Sequence, residues 1–342
     1  MSMKMKNEIK TKTKSNCICC GSEGFFLYKS LNDRLFGTKG EWNIKQCNNI
    51  ECGLLWLDPM PVSEDLYKIY ESYYTHTDRP NEERSFFSRV VLGYQAAIYD
   101  FLYDQTNSYY RFLGRLLSKL NVFKDYMDYP FVYLKGLPKG KLLELGCGNG
   151  DTLDILTKWG WQAEGLDFDD NAVNVAASKG LLVHKGDIFA QNFSDSSFDV
   201  VFSNNVIEHV SDPFALLKES ARVIKPGGFL VAITPNAGSK LHQKFKENWR
   251  GLEPPRHLYL FKSNSLASIA KTAGFQDVKV ISKNYSAIFI WLMSSKLKNY
   301  DGNIGSHSRT SRYLSYLAGF YLNVAQRFSP LSGEELILVA YK

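Results

Sequence analysis

At 342 residues the chain is longer than one average domain, and its 44% hydrophobic and 22% charged side chains exclude an intrinsically disordered protein and point to two or three compact units. The net charge of +6 sits mostly at the start: residues 1–14 carry Lys4, Lys6, Lys10, Lys12 and Lys14 against Glu8, which puts +4 there and leaves +2 for the other 328 residues. A body so nearly neutral argues against a nucleic-acid-binding face, and residues 1–14 read as a disordered basic tail.

The first residues offer no apolar core of the kind a secretory signal needs. The longest apolar run, Ala287 to Met293, falls far short of the roughly 20 residues that span a bilayer. The expected location is the cytoplasm, where thiols stay reduced and clustered cysteines bind metal more often than they pair. Residues 15–61 hold such a cluster. Cys17-x2-Cys20-Gly21 and Cys47-x4-Cys52-Gly53 form two pairs separated by 26 residues, each followed by a glycine that can close a tight thiolate knuckle. Four soft ligands suit tetrahedral zinc, and a site with four thiolates is structural because no coordination position stays open for water. Cys19 could replace one ligand, and unpaired reduced cysteines are the competing reading.

Residues 62–138 are rich in aromatics at helical spacing, among them Tyr70, Tyr73, Tyr74, Phe86, Phe87, Tyr99 and Tyr103, and a second run spans Tyr313 to Tyr321. Core packing is the expectation for both, with a lid over an acceptor as the sharper reading. From residue 139 strand and helix signals alternate. The strand Lys141–Leu145 leads through a glycine turn into a helix from about Thr152 to Trp159; strand Ala163–Leu166, helix Asn171–Ser178 closed by Gly180, and strands Leu181–His184 and Phe198–Ser203 follow. Pro213 opens a helix to Ile224, and Lys225-Pro-Gly-Gly228 stops it before strand Phe229–Ile233. Gln276–Ile281 and Glu335–Tyr341 read as two more strands flanking a helical insertion at 285–331. Strands joined by helical crossovers imply a doubly wound α/β sheet.

The sharpest motif is Glu144-Leu145-Gly146-Cys147-Gly148-Asn149-Gly150, an apolar strand running into three alternating glycines that let a ligand approach the backbone. Asp167 closes the second strand, where a carboxylate can accept from ribose hydroxyls. A dinucleotide fingerprint needs Gly-x-Gly-x-x-Gly, whereas here the third glycine comes one place early and Asp151 takes the sixth, so a pyrophosphate would meet an acid. A sulfonium with a zwitterionic tail would not be repelled in that way, which favours S-adenosylmethionine. No Gly-Lys-Ser/Thr follows, which removes the P-loop reading.

Together with Gly186-Asp187-Ile188, Asn205-Val-Ile-Glu208-His209-Val and Arg222-Val-Ile-Lys-Pro-Gly-Gly228, these residues resemble, in order and spacing, the successive motifs of class I S-adenosylmethionine-dependent methyltransferases. The resemblance implies a Rossmann-like seven-stranded sheet with its last strand pair antiparallel, here joined to an N-terminal zinc-ribbon-like module and helical insertions. It implies Glu144 and the Gly146/Gly148/Gly150 loop beside the methionine moiety, Asp167 on the ribose, and Asp187 with Ile188 at the adenine. Phe168, Asn204 and Asn205 complete the expected cofactor-binding set. Cys47 to Pro61 resembles zinc-binding modules fused to methyltransferases of bacterial sugar, polysaccharide and secondary-metabolite pathways, although the four-residue gap in the second pair is wider than expected.

Methyl transfer from a sulfonium starts with an activated leaving group, so alignment, water exclusion and one base suffice. His209, with Glu208 beside it, follows the fourth strand on the edge where doubly wound sheets bind ligands; His257, in Pro254-Pro255-Arg256-His257, lies in a later loop that commonly meets substrate. Either is the expected base, and Arg256 could pair with an acidic group on the acceptor. Ubiquinone-pathway O-methyltransferases are similar here but carry Glu-x-x-Glu-His; Asn205 stands in the first acid's place, which disfavours a metal-assisted step. The expected acceptor is a small, glycan-linked or lipid-linked molecule methylated at a hydroxyl or carbon, in a setting such as polysaccharide biosynthesis. Shallow membrane contact through residues 288–321 is a further expectation. The rival reading is a zinc-ribbon nucleic-acid-binding protein on a Rossmann-like scaffold, which the charge distribution opposes. Oligomeric state and acceptor atom are not encoded in these motifs.

Overall fold

A computed structural model of the chain describes residues 9–70, 86–99, 107–119, 127–129, 131–300 and 309–342. The first eight residues of the basic tail, and Tyr73, Tyr74 and Tyr103, lie outside the described residues. In chain order the strands are β1 (Thr11–Lys12), β2 (Gly24–Leu31), β3 (Trp42–Cys47), β4 (Leu55–Leu57), β5 (Met60–Pro61), β6 (Lys141–Leu145), β7 (Gln162–Asp167), β8 (Val183–Lys185), β9 (Phe198–Asn204), β10 (Ile224–Pro235), β11 (Tyr259–Leu260), β12 (Asp277–Lys283) and β13 (Glu335–Tyr341). The helices are α1 (Phe86–Ile98), α2 (Ser108–Leu117), α3 (Asp151–Lys158), α4 (Asp170–Ser178), α5 (Pro213–Val223), α6 (Lys240–Phe245), α7 (Ser263–Thr272), α8 (Ala287–Lys298) and α9 (Arg309–Phe328). None of these helices is long and apolar enough to cross a membrane.

The sheet expected from the alternating signals is present, with seven strands in the order β12-β13-β10-β9-β6-β7-β8, a Rossmann-like arrangement whose last strands are antiparallel. By contacts the chain divides into two units, one of Met1–Tyr74, Asn204–Lys218 and Ala232–Ala340, the other of Thr75–Ser203, Glu219–Val231 and Tyr341–Lys342.

The second unit holds the parallel strands. β6 pairs with β7 and with β9, and β7 with β8, all parallel. Four of the five β6 residues are buried, because a central parallel strand is covered on both faces. Its helices start where local chemistry allows. Asp169 caps α4 by accepting from the Asn171 and Ala172 amides, and Gly150, at φ 80°, opens α3 with Asp151 and Asp154 set against the positive end of its dipole. In the aromatic segment, Tyr94 and Tyr99 are buried and both donate to Asp128 Oδ1, at 2.7 and 2.6 Å, while Phe86 is exposed. Tyr99 packs as expected; Phe86 does not.

The first unit contains a four-stranded antiparallel sheet, β11-β4-β3-β2. Its edge strand β11 comes from just over 200 residues after β4, so the cysteine-bearing sheet is completed by chain from far downstream. Residues 10–14 depart from the disordered tail that their charge suggests. β1 pairs with β5, the Lys10 and Lys14 amides donate to Asp65 and Asp58, and the buried Trp56 indole donates to the Lys14 carbonyl at 2.9 Å. Buried acceptors for the backbone outweigh the preference of lysines for solvent, since Lys10 and Lys12 stay exposed and the half-buried Lys14 ammonium donates to the Tyr259 hydroxyl at 2.7 Å. The helical insertion lies between β12 and β13 as expected, but its second aromatic run is not core. Tyr313, Tyr316, Phe320 and Tyr321 of α9 are exposed, because the helix buries its small residues instead.

Candidate active site

In the second unit, β6 ends in a loop where Gly146, Gly148 and Gly150 all take left-handed backbone angles, at φ 66°, 54° and 80°. The last two differ in surroundings. A Cβ on Gly148 would meet nothing within 4 Å, whereas one on Gly150 would sit 2.6 Å from Leu181 and 2.9 Å from Ala176. Gly148 therefore faces open space, and Gly150 is a packing contact. Asp167, at the end of β7, accepts from the Gly148 amide through Oδ2 at 2.8 Å and from the Asp169 amide through Oδ1 at 2.9 Å. Both oxygens keep a lone pair for ribose hydroxyls.

Glu144 lies on β6 and is 3% exposed, and its Oε2 is buried without a hydrogen-bond partner. Burial, then the neighbouring Asp167 and Asp151 charges, pushes its carboxyl well above the usual range. A buried orphan carboxyl is costly unless a donor or cation meets it, so the cradle suits a ligand with an ammonium group. Cys147 fills the space beside Gly165, where an added Cβ would stand 2.7 Å from its Sγ, and burial lifts its thiol to about 12. It is packed and protonated rather than nucleophilic. Past β8, the Asp187 carboxylate accepts from the Ala190 amide at 2.9 Å, Ile188 is buried, and Phe168 and Phe189 are exposed.

A second cluster belongs to the first unit. Asn205 sits at φ 55°, a conformation Asn tolerates, and its amide nitrogen donates to the Ile233 carbonyl at 2.9 Å while its side chain donates to Asn204 at 3.2 Å. One turn on, Glu208 is fully buried; its Oε2 accepts from the Thr234 hydroxyl at 3.0 Å, its Oε1 has no partner, and burial raises its carboxyl to about 8. His209 Nδ1 lies 3.0 Å from the Arg256 carbonyl and 3.0 Å from the Tyr70 hydroxyl. A carbonyl only accepts, which assigns the proton to Nδ1 and leaves Nε2 as the basic nitrogen. The same logic holds for His257, whose Nδ1 is 2.7 Å from the Gly251 carbonyl. Burial lowers the pKa of both rings, that of His257 to about 3. The rings stand edge to face with centroids 4.7 Å apart.

Glu253 anchors the cluster. Burial alone would raise its carboxyl, but Arg250, His257 and Arg256 around it hold it down at about 2. Arg256 is fully buried, donating to Asp33 at 2.8 Å and Glu253 at 2.9 Å. The sequence reading of Arg256 as an acceptor-binding group is therefore corrected: its charge is consumed internally, two carboxylates matching Arg250 and Arg256. Of these two histidines, His209 has a side chain 19% exposed and His257 6%, so His209 is the more accessible. Glu208, His209 and His257 come together, with donor atoms within 4.8 Å of one another. Asp33 and Glu253 were not singled out from sequence, and Tyr70 was read only as one of a run of aromatics. The Glu253-x2-Arg256-His257 spacing was a signal for Glu253; Asp33 lies 223 residues from Arg256 and gave none.

The four sulfurs of Cys17, Cys20, Cys47 and Cys52 also lie within 4.8 Å of one another, with Cys17–Cys52 at 3.6 Å and Cys20–Cys47 at 3.4 Å. Gly21 and Gly53 follow the knuckles at φ 73° and 57°, and the Gly21 amide donates to the Cys17 carbonyl at 2.9 Å. Cys19 is not one of this group of four: its thiol lies 3.7 Å from the Ser265 carbonyl, and it also interacts with the Cys17 and Cys52 thiols, which push its own pKa up.

Residues 112–280 match a family model described as a methyltransferase domain. The ubiquinone biosynthesis O-methyltransferase of Idiomarina loihiensis is 28% identical over 174 residues, 47% of this chain and 72% of that protein. The demethylmenaquinone methyltransferase of Staphylococcus aureus is 29% identical over 210 residues, 53% of this chain and 83% of that protein. A solved SAM-dependent methyltransferase from Archaeoglobus fulgidus aligns with 69% of this chain and 100% of its own, at 20% identity and a TM-score of 0.43.

Proposed function

With residues 112–280 matched as a methyltransferase domain, this chain is an S-adenosylmethionine-dependent methyltransferase, and from that premise we propose that it methylates a hydroxyl of a small molecule with His209 as general base. The observation that carries the base assignment is His209 itself: Nδ1 pinned by a backbone carbonyl, Nε2 basic, and the most exposed ring of its cluster. S-adenosylmethionine, when bound, supplies a methyl on a positively charged sulfur leaving group. Glu144 would hold its ammonium, Gly148 would let the methionine part approach the backbone, and Asp167 would accept from the ribose hydroxyls. Phe168, Asp187 and Ile188 would border the adenine, and Asn204 and Asn205 complete the set.

His209 takes the hydroxyl proton onto Nε2 as the new oxygen–carbon bond forms. Its lowered basicity keeps the ring neutral and ready to accept at neutral pH. His257, more buried and with its own Nδ1 tied, positions His209 rather than touching the acceptor. The relative named as a ubiquinone biosynthesis O-methyltransferase favours a ring hydroxyl over the sugar hydroxyl expected from the sequence. In the N-terminal sheet, Cys17, Cys20, Cys47 and Cys52 would hold a structural zinc. The 3.4 and 3.6 Å separations of their sulfurs approach the roughly 3.8 Å of a tetrahedral zinc thiolate and far exceed a disulfide bond. Reduced thiols at that spacing support a cytoplasmic setting.

The test is turnover with labelled S-adenosylmethionine against phenolic quinone precursors and sugar hydroxyls, with His209→Ala, His257→Ala and a chelator arm. A loss in kcat of about 100-fold in His209→Ala, with KM for the cofactor unchanged, is expected. Full turnover by His209→Ala, or turnover that vanishes with chelation and returns with magnesium but not with zinc, would overturn the base assignment.

A further inference from the structure

Helix α9 is amphipathic in the reverse sense. Its inner face is made mainly of small residues: Ser315 and Ala318 are buried beside Leu322, and a Cβ on Gly319 would stand 2.9 Å from Ile288 of α8. Its outer face carries the large ones. Tyr313, Tyr316, Leu317, Phe320, Tyr321 and Phe328 are all exposed, with Phe320 at 64% and Phe328 at 87%. At 100° per residue these six fall within an arc of about 140° that runs the length of the helix. Running from Tyr313 to Phe328, this stripe is about 24 Å long. Single exposed aromatics are ordinary, but a continuous stripe of this length marks a surface that meets something apolar.

Two features select the occupant. Of the outward aromatics, Tyr313, Tyr316 and Tyr321 end in a hydroxyl, the composition of side chains that lie at a membrane–water boundary. The charge is one-sided as well. Arg309–Phe328 contains no acidic residue, Arg312 and Arg327 are exposed, and across residues 287–333 five Lys and Arg face a single acid, Asp301. A second copy of α9 would bring like-charged arginines together with no carboxylate on the helix to pair them. An anionic surface would neutralise them. We propose that the outer face of α9 docks this protein on the surface of an anionic lipid bilayer, the helix lying in the plane of the interface. This inference stands independently of the methyl acceptor and of the base.

The experiment is sedimentation of the full-length protein with phosphatidylcholine vesicles, with and without phosphatidylglycerol, alongside sedimentation equilibrium without lipid. Wild type is expected to bind the phosphatidylglycerol vesicles. The Phe320→Ser/Tyr321→Ser variant should lose about tenfold or more in partitioning, and Arg312→Gln/Arg327→Gln should bind both vesicle types alike. Circular dichroism checks that each variant is folded, and the arginine variant decides the matter if the aromatic one is not. Absence of wild-type binding, or binding that neither variant changes, would overturn the proposal. So would a lipid-free dimer that the aromatic variant dissociates, which would assign this face to a second copy.

Discussion

Gly148→Ala and Gly150→Ala test whether the glycine loop is a ligand cradle or only a turn, because the two positions share a backbone conformation and differ in what surrounds them. At φ 54° and 80° each alanine costs about 1 kcal/mol for the left-handed backbone. For Gly148→Ala nothing lies within 4 Å of the new methyl, so stability should fall by that amount alone. For Gly150→Ala the methyl would lie 2.9 Å from the Ala176 Cβ and 2.6 Å from the Leu181 Cδ1, well inside contact distance, adding about 1–3 kcal/mol of overpacking. Thermal melts and calorimetric titration with S-adenosylhomocysteine, run on both variants, separate the effects. Gly148→Ala should melt near wild type yet bind at least about tenfold more weakly, since its methyl occupies the space that a ligand would take. Gly150→Ala should melt markedly lower. Normal affinity in a well-folded Gly148→Ala protein would refute the cradle, and a Gly150→Ala protein as stable as Gly148→Ala would refute the packing argument.

Removing Asp33 should be severe. Asp33→Ala leaves Arg256 buried without that partner and also orphans the Leu35, Phe36 and Thr38 amides, so a loss of about 3–5 kcal/mol is expected by chemical denaturation, with Asp33→Asn intermediate; an unchanged midpoint would sink the buried-pair reading. Elemental analysis of the purified protein should find about one zinc per chain, and Cys47→Ser should both release it and lower the melting temperature; metal-free protein with a full native melt would discard the site. Burial raises the Glu334 carboxyl from 4.5 to about 8, so between those values the folded state keeps a proton that the unfolded state releases. Its stabilising share is whole below pH 4.5 and is lost as pH rises through about 8, and Glu334→Gln should flatten that decline; a parallel pH profile in the variant would contradict it.

The glycine loop after β6 was legible because every part of it is local. A buried strand, three glycines at alternate positions and a helix that starts at Asp151 lie within one short stretch, and their conformations follow from residue type. The cysteine pairs were legible for a similar reason, since the knuckle spacing and the glycine that follows each pair are chain-local. Nothing local could reveal that the edge strand of the cysteine sheet is Tyr259–Leu260, or that residues 10–14 are bound to it by Asp58, Asp65 and Trp56.

The histidines show the division most clearly. Their residue types and loop positions marked both His209 and His257 as candidates, and the sequence could go no further, because exposure and tautomer depend on which carbonyls the fold brings alongside. Arg256 looked available as a surface cation until Asp33, from the other end of the chain, closed on it in a dry interior where an unmatched charge could not persist. The aromatic run of α9 likewise has a helical period whichever way it faces. Its sequence determined a helix; the packing of Gly319 against Ile288 decided that the small side turns inward and the large side outward, since only small residues let two helices approach so closely.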